Sequence, residues 1–510
     1  MASEGRLLNA MRQSVKLGEY SAYWIACAVV AIAWMVMHAL RPTPVFPLDD
    51  PYITIHSAQV LHWGFDPNFP GVAALYGATS APFLALEYVL QFVLAPLYAA
   101  ETACWLGVLV YASGLVYLAR TLRLGRYETA AVVALGLASS FVPVHLLNGL
   151  ETGWAMAGVI WTLALGSGER SHPRWAAFAG GCTAAIRPDL APFALFVIAA
   201  MTYEGWRRER WPGRRVVSEC FLLTGLAVLP ALPFCLWYLR ETGFLYPLTG
   251  VAKKYYFASG RLPARRKLLP VAMLGVFGVS CCPLLFGLVA SWRSAIAKAV
   301  LAFMAVMGVV AFWALPDIFA FNLFRYPVVV IPMLVWGVAF WASKAAKSDA
   351  RGVVTACVIW CAMLLYPVGI APYLHACRMC NDAEHELVRW CQENLPGDAR
   401  LLVQDAGYVA YGSRFRVVDY VGLKTPEAIA LNKEYTWPSG GAQRAEVIAE
   451  LSRQYEAEYL VVDAHDAPTN ALPKQMKALG WQLQALKPEG YYAVYRLQAP
   501  NDARGSDAAR

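Results

Sequence analysis

The sequence predicts a polytopic α-helical membrane protein in which about eleven transmembrane helices precede a small α/β soluble domain. Hydrophobic residues make up 58% of the 510-residue chain and charged residues only 15%, whereas an ordinary soluble domain carries about 25% charged residues. Long apolar stretches separated by short polar loops run from Ser21 to Ala371. After Pro372 the composition becomes that of a soluble domain. We therefore predict a membrane domain followed by a C-terminal globular domain.

The predicted domain boundaries follow this change in composition. Residues 1–372 form the predicted transmembrane domain, which includes a first outside loop at 41–101. Residues 373–498 form a predicted extracytoplasmic domain, where apolar strands alternate with helices and favour a small, mostly parallel sheet. Residues 499–510 are predicted to be a disordered tail. The predicted strands of the sheet are 401–405, 416–420, 459–463, 481–486 and 491–497.

Apolar runs of about 20 residues are long enough to cross a bilayer as helices, and shorter runs can do so inside a bundle. The run at 21–40 is too long for the core of a signal peptide, and no small-residue cleavage site follows it. We therefore interpret it as a retained helix. The further predicted spans are 102–119, 128–147, 153–167, 174–186, 189–204, 220–239, 268–290, 297–315, 326–342 and 353–371.

Loop charges predict the orientation of these helices, since lysine and arginine collect in cytoplasmic loops. With a cytoplasmic N-terminus every inside loop is basic, and the C-terminal domain lies outside. The same rule explains the net charge of +8, so nucleic acid is not a predicted partner. The pattern requires that residues 81–99 do not cross, and we predict a re-entrant or interfacial segment there.

The segment 240–267 departs from the charge rule, because it lies outside by parity and yet carries a cluster of cations. One explanation is a misplaced span. The other is that this segment binds an anionic phosphate group. Its cations are Arg240, Lys253, Lys254, Arg261, Arg265, Arg266 and Lys267.

The first outside loop contains the clearest candidates for catalysis, Asp49 and Asp50, directly after the first span. Neighbouring like charges raise one another's pKa, which suits a general base, although acids near a membrane are often merely solvated. Aromatic and polar residues alternate in this loop. Such a mixture suits a sugar, and it also suits an ordinary interface belt. The polar residues of the loop that we predict to bind substrate are Tyr52, His56, Thr79 and Ser80.

Three other outside turns carry polar residues between spans. Asn148 and Glu151 are predicted to contact substrate, with a helix-capping turn as the alternative. Arg187 and Asp189 join two short spans, which implies a polar cavity within the bilayer, and a local ion pair that holds the turn is the alternative. Arg325 enters the next span at its outer rim, where snorkelling toward lipid head groups is the alternative.

Several segments resemble a known family in the same order along the chain. The Asp49–Asp50 pair after the first helix resembles the hallmark of the GT-C superfamily of polyprenyl-phosphate-sugar-dependent glycosyltransferases. LDDPYITIHSAQ followed by YGATSAP resembles the DDAYI…GTSPL pattern of bacterial (mycobacterial-type) terminal arabinofuranosyltransferases. The later family motifs are similar to NGLET, RPD, YPLTGVAKK, LFRY and DAGYVAYGSRFRVVDYVGL. Pro51 replaces the usual alanine of the family, and Leu248-Thr249 lacks its usual asparagine.

The resemblance implies an integral membrane glycosyltransferase (a hexosyl- or pentosyltransferase) that acts with inversion. It would move a sugar, with arabinofuranose as one candidate, from a polyprenyl-phosphate donor to a cell-envelope glycan, lipid or protein acceptor. Because the first acid of the pair is the base in this superfamily, Asp49 is assigned that role, with Asp50 beside it. Arg187, Lys253 and Arg325 would stabilise the leaving phosphate.

The resemblance also implies a multi-pass protein of the bacterial inner (plasma) membrane, in contact with membrane lipids, whose C-terminal domain is periplasmic. No certain cofactor is predicted; a divalent cation is an open alternative to the protein cations. The alternative function is a transporter or flippase of lipid-linked sugars. A transporter should show polar residues at mid-membrane depth and often a repeat between its halves, and neither is visible in the sequence.

Overall fold

The computed structural model describes residues 44–168, 171–464 and 470–500, together with parts of 21–35, which are helical. Residues 501–510 of the predicted disordered tail lie outside the described residues. So does much of the first predicted span, 21–40.

Helices dominate the chain up to residue 394 and follow the predicted spans in order. The α-helices before residue 315 are Asp50–Trp63, Ala81–Leu90, Pro96–Thr121, Arg126–Ala138, Val142–Leu146, Thr152–Gly166, Pro173–Ile186, Ala191–Glu209, Gly213–Val228, Leu232–Thr242, Thr249–Phe257, Ala264–Ala290 and Ala295–Ala314. Those after it are Phe321–Phe324, Ile331–Ala342, Lys347–Leu364, Ala371–Asn394, Ala406–Gly412, Glu427–Leu431, Arg444–Tyr455 and Leu472–Ala478.

Within the described residues, five helices are long and apolar enough to cross a membrane. A sixth is added if Gly213–Val228 and Leu232–Thr242, which are bent by 51°, form one span. The predicted count of about eleven spans is not reached by this measure, because a full crossing needs about 20 residues. Thr152–Gly166 has only 15 residues, and the predicted span 128–147 is broken between Ala138 and Val142. The larger count therefore stays a prediction.

The helix Ala81–Leu90 is too short to cross. It has 10 residues, which corresponds to about 15 Å, half the thickness of a bilayer core. The Ser80 hydroxyl caps its first turn by accepting a hydrogen bond from the Phe83 amide. This agrees with the prediction that 81–99 does not traverse the membrane, except that the next long helix already begins at Pro96.

Glycines allow the helix Ala264–Ala290 and a second helix, Ile331–Ala342, to approach closely in the membrane domain. Gly287 lies against the backbone of Val338, and Gly337 lies against the backbone of Leu288, so that a Cβ atom at either glycine would collide with the opposite helix. Small residues at such contacts are typical of membrane helix packing. Trp336 on the second helix is fully buried and donates a hydrogen bond to the Ser167 hydroxyl over 2.8 Å.

The C-terminal region contains a five-stranded sheet in the order β2-β1-β3-β5-β4. Its strands are β1 (Arg400–Val403), β2 (Arg416–Asp419), β3 (Tyr459–Asp463), β4 (Gln482–Lys487) and β5 (Tyr492–Gln498). The five predicted strands are confirmed in position, but the prediction of a mostly parallel sheet is wrong. β1 pairs in parallel with β2 and β3, whereas β5 is antiparallel to β3 and β4. The β4–β5 connection, with Gly490 at φ 108°, is short, and a short hairpin permits only antiparallel pairing.

The segment 44–101 packs directly on the sheet region. Ile53 and Tyr256 share a buried cluster with Leu402 and Val418 of β1 and β2. The predicted boundary at 372/373 falls inside a long helical run, Lys347–Asn394, and stays a prediction. These contacts hold the loop after the first span against the C-terminal sheet.

Candidate active site

A cleft of about 360 Å³ lies where residues 47–50, the Thr249–Phe257 helix and the C-terminal sheet meet. This volume is within the usual range for small-molecule sites. Its polar lining comes from segments that are far apart in the sequence. The polar side chains that line it are Asp49, Asp50, Lys253, Asn322, Glu384, Gln404, Asp405, Asp463, Tyr491 and Tyr492.

Asp49 is held by the first turn of the Ala406–Gly412 helix. Its two carboxylate oxygens accept backbone hydrogen bonds from Gly407 over 2.8 Å and from Tyr408 over 2.7 Å. Burial raises the pKa of Asp49 to about 7, against the lowering effect of these two donors. Asp50 raises the pKa further but contributes less than burial does. The carboxyl is therefore poised to exchange a proton near neutral pH.

Asp50 has the opposite environment, although it is the next residue. One of its oxygens accepts hydrogen bonds from Lys253 Nζ over 3.0 Å, Arg325 Nη1 over 2.7 Å and Asn322 Nδ2 over 3.3 Å. Burial alone would raise the pKa of Asp50, but the charges of Lys253 and Arg325 outweigh it and lower the pKa. Adjacent carboxyl groups with pKa values pushed apart take different chemical roles. Asp50 thus remains a carboxylate that anchors two cations.

Arg325 connects Asp50 to a second buried acid. Its Nη2 donates to Glu151 Oε1 over 2.8 Å, while Nη1 donates to Asp50. The side chains of Arg325 and Glu151 are 4% and 3% exposed, so this ion pair is shielded from water. Lys253, Asp50, Arg325 and Glu151 therefore form a continuous chain of alternating charges.

The backbone just before Arg325 is unusual, because Asn322, Leu323 and Phe324 have φ values of 50°, 57° and 64°. Three consecutive non-glycine residues in the left-handed region are unfavourable on their own and need support from their surroundings. His145 gives that support, since its Nε2 donates to the Leu323 carbonyl over 2.7 Å. The turn aims Asn322 at Asp50 and places Arg325 behind it.

Asn148 and Arg187 support this turn from behind. Asn148 Nδ2 donates to His145 Nδ1 over 3.1 Å, which fixes the histidine tautomer. Arg187 forms a bidentate pair with Asp189 at 3.0 and 2.6 Å and donates to the Arg325 carbonyl over 3.3 Å. Arg187 and Asp189 are not among the residues that line the cleft. The geometry of Arg187 and Asp189 matches the alternative given by the sequence, a local ion pair that holds the turn at 187–189.

The other residues that the sequence predicted to bind substrate differ in their surroundings. Thr79, which donates to the Thr249 hydroxyl over 3.2 Å, lines a small second cavity together with Glu151, Lys253 and Arg325. Three others have contacts of a structural kind. Tyr52 packs against Tyr408 and Tyr411, His56 pairs with Asp66 at 3.1 Å, and Ser80 caps a helix.

Sequence reasoning missed the acids that the C-terminal region contributes to the cleft. Asp463 ends β3, and Asp405 follows β1 and accepts a hydrogen bond from the Tyr492 hydroxyl over 3.0 Å. Since β1 and β3 are parallel neighbours, their carboxyl ends meet at one sheet edge, where α/β proteins bind ligands. The sequence signal for these two acids was their position, since each aspartate ends a predicted strand, LLVQD or YLVVD. Glu384 carried no such signal, because it is one of several acids on its helix.

The described part of the chain contains no group of three or more histidine, cysteine, aspartate or glutamate residues arranged to hold a metal ion. The divalent cation stays an open alternative. Lys253 and Arg325 are positive charges that pair with Asp50 in this part of the structure.

Gly407 lets the Ala406–Gly412 helix reach Asp49. A Cβ atom at residue 407 would collide with the Asp49 carbonyl oxygen and lie 2.8 and 2.9 Å from its carboxylate oxygens. We expect Gly407→Ala to displace Asp49 and lower the transfer activity proposed below at least about 10-fold, while the sheet stays folded. The measurement is transfer activity together with circular dichroism. The control is Gly397→Ala, whose Cβ meets no atom within 4 Å; equal activity of the two variants would contradict the expectation.

Comparisons with known proteins agree with this architecture. Two crystal structures of ArnT from Cupriavidus metallidurans are similar. The one bound to undecaprenyl phosphate has TM-score 0.53 and 14% identity and covers 94% of this chain and 98% of that chain. The apo state has TM-score 0.53 and 16% identity, covering 92% and 97%. Arabinofuranosyltransferase AftD from Mycobacteria gives TM-score 0.46, 14% identity and coverages of 94% and 41%, too weak a likeness to support an argument.

Sequence comparisons add little to the structural ones. Residues 370–506 match a domain of unknown function, DUF8728. A comparison with curated proteins finds no match. The likeness to ArnT extends over almost the full length of both chains and rests on shape, because the identity is low. The chain therefore has the fold of the GT-C glycosyltransferases, as its sequence predicted.

Proposed function

We propose that this protein is a membrane glycosyltransferase that moves a sugar from a polyprenyl-phosphate donor to a hydroxyl of a cell-envelope acceptor. The observation that carries the proposal is the divided behaviour of the acidic pair. Burial raises the pKa of Asp49 to about 7, whereas Asp50 is held ionised by Lys253, which lines the same cleft, and by Arg325, which lines the small cavity beside it. This combination supplies a base and a cationic site within one small volume. Arabinofuranose is the candidate sugar.

In the proposed reaction Asp49 takes the proton of the acceptor hydroxyl. The acceptor oxygen forms a bond to the anomeric carbon while the bond from that carbon to the phosphate oxygen breaks, so the configuration inverts. Polyprenyl phosphate leaves and gains negative charge. A base whose pKa lies near the working pH combines a useful deprotonated fraction with sufficient basicity.

Lys253 and Arg325 are the groups that we propose for the donor phosphate. Lys253 lines the cleft, and its ammonium is held at 3.0 Å from Asp50. Arg325 lines the small second cavity beside it. Cations fixed in advance near developing charge lower a barrier without reorganisation. ArnT, whose fold is similar, was crystallised with undecaprenyl phosphate, which supports this donor class. Arg187 has its guanidinium committed to Asp189 and Arg325, so we propose that it positions Arg325.

The test is transfer by purified protein in liposomes from synthetic polyprenyl-phosphate sugars, including the arabinofuranosyl donor. We expect Lys253→Ala to lower turnover about 10- to 100-fold with a smaller effect on donor affinity, because the lost charge acts mainly on the leaving phosphate. Lys254→Ala is the matched control, since it removes the same charge from the next residue, which stacks on Trp437.

Two outcomes would contradict the proposal. Absence of transfer from every polyprenyl-phosphate donor would remove the proposed activity. Full turnover by Lys253→Ala, with unchanged donor affinity, would place the phosphate site elsewhere.

We also propose the orientation that the loop charges predict, with a cytoplasmic N-terminus and a periplasmic C-terminal region in the bacterial inner membrane. A reporter enzyme fused after Arg215 is expected to be active in the cytoplasm, and one fused after Asn394 outside it. Asn394 ends the helix before the sheet. A cytoplasmic C-terminal region would contradict the proposed side of the reaction.

A further inference from the structure

A second groove, of about 1000 Å³, lies outside the cleft between the end of the Asp50–Trp63 helix and the segment 410–415. It is larger than the cleft, which has about 360 Å³. One side of the groove includes the end of the Ala406–Gly412 helix, whose first turn contacts Asp49. Its size and place raise the question of which ligand it would bind.

The groove combines aromatic and amide side chains. Trp63 and Phe65 are 46% and 65% exposed, and Tyr411 lines the same space. The amides of Gln59, Asn68 and Gln392 line it as well, with Arg414 as a charged lining residue. Among the described lining residues there is no acid and no second cation, which disfavours phosphate or any other highly charged ligand.

Two of the amides have unused acceptors. Gln59 Oε1 and Asn68 Oδ1 are buried and have no hydrogen-bond partner in the part of the chain that the structure describes. Asn68 is 1% exposed, and its Nδ2 donates to the carbonyls of Ser413 and Phe415. Because buried polar groups are normally paired, unused acceptors on residues that line a groove favour a ligand with hydroxyl donors. Aromatic faces beside them favour a ligand that also has apolar faces.

We propose that this groove binds a neutral oligosaccharide, as a site for the part of a glycan acceptor remote from the reacting sugar. Sugar rings have apolar faces and hydroxyl edges, which match the aromatic rings and the amides. The proposal rests on the proposed function and narrows its acceptor to an extended glycan. A volume of about 1000 Å³ suits several sugar rings better than one.

The position of the groove fits an acceptor that reaches Asp49. The Ala406–Gly412 helix donates to Asp49 from its first turn, and its last residues, Tyr411 and Gly412, line the groove. Its 7 residues span about 10 Å. A bound oligosaccharide would therefore place its next residues near the catalytic base.

The competing occupant is a membrane lipid, because exposed aromatic residues also form interface belts. The groove favours the glycan, since Gln392, Ser413 and Arg414 give one of its sides a polar lining. A lipid tail could donate no hydrogen bond to the unpaired Gln59 Oε1 and Asn68 Oδ1.

The experiment measures binding separately from transfer. Full-length Asp49→Asn protein in nanodiscs is titrated with neutral hexasaccharides of arabinofuranose, mannose and glucose, and with the matching monosaccharides, using tryptophan fluorescence and ligand-observed NMR. We expect at least one hexasaccharide to bind, and Phe65→Ala to weaken it about 10-fold, equal to about 1.4 kcal/mol. Phe221→Ala, an exposed phenylalanine (76%) remote in sequence, is the matched control and should bind normally.

Steady-state transfer kinetics of protein with intact Asp49 provide a second test. Phe65→Ala should raise KM for the hexasaccharide acceptor about 10-fold with unchanged kcat, and leave the monosaccharide acceptor unaffected, because a remote contact contributes uniform binding. The proposal would be overturned if no hexasaccharide bound, or if Phe65→Ala and the parent protein bound the hexasaccharide with equal affinity. It would also be overturned if Phe65→Ala impaired only the insertion of the protein into liposomes. Hexasaccharide binding without transfer by protein with intact Asp49 would instead refute the proposed function and leave the groove assigned.

Discussion

Asp49→Asn is expected to lower glycosyl transfer at least about 100-fold, the usual scale for a lost general base. The asparagine side chain keeps the shape of aspartate, but its amide cannot take a proton near neutral pH. One of the two backbone donors, Gly407 or Tyr408, would then face an NH₂ group instead of an oxygen. That mismatch costs about 1–3 kcal/mol, so thermal unfolding must be measured beside activity.

The pH dependence of transfer provides a second test of Asp49, because the direction of the change with pH can be predicted. Asp49 acts as a base only when it is deprotonated, and its pKa is raised to about 7. We therefore expect kcat/KM to rise about tenfold per pH unit below pH 7 and to level off above it. A profile controlled by an ordinary aspartate would already be flat at pH 5.

The control for this substitution is Asp398→Asn, since Asp398 is exposed at the surface of the C-terminal region. It should keep both the activity and the pH profile of the parent protein. Near-normal transfer by Asp49→Asn, or a profile flat from pH 5 to 8, would exclude Asp49 as the base.

Arg325→Ala is expected to destabilise the protein by about 3–5 kcal/mol and to abolish transfer. The substitution leaves Glu151, which is 2% exposed, without its partner and removes one of the two cations beside Asp50. An unpaired buried charge is far more costly than the loss of a surface pair. Arg325→Lys should also be damaging, because one ammonium cannot reproduce the forked contact to two carboxylates.

A surface ion pair provides the comparison. Arg208 contacts Glu204 at 3.6 Å, and the two side chains are 73% and 29% exposed, so Arg208→Ala should cost less than about 1 kcal/mol. The measurement is thermal unfolding in detergent, followed by tryptophan fluorescence. Equal melting temperatures for Arg325→Ala and Arg208→Ala would show that the buried charge chain does not stabilise the fold.

The sequence alone was sufficient for the fold class and for choosing Asp49 and Asp50 as the candidate catalytic pair, a role that stays a prediction. Apolar runs predict membrane helices because a bilayer requires them locally, and the five strands were recognised from short apolar runs. Asp49, Asp50, Lys253 and Arg325 stood out through their position at span ends or by breaking the charge rule, and the structure brings all four together.

Only the tertiary structure decided how these residues divide their roles. Adjacent acids look equivalent in a sequence, yet Asp49 meets backbone donors of the Ala406–Gly412 helix while Asp50 meets two cations. Those partners are separated from the pair by some 200 to 360 positions in the chain. Arg187 lies close to Arg325 but its guanidinium is taken up by Asp189. Local patterns specify helices, strands and charges, whereas pKa values and pairing depend on burial and on contacts between distant segments.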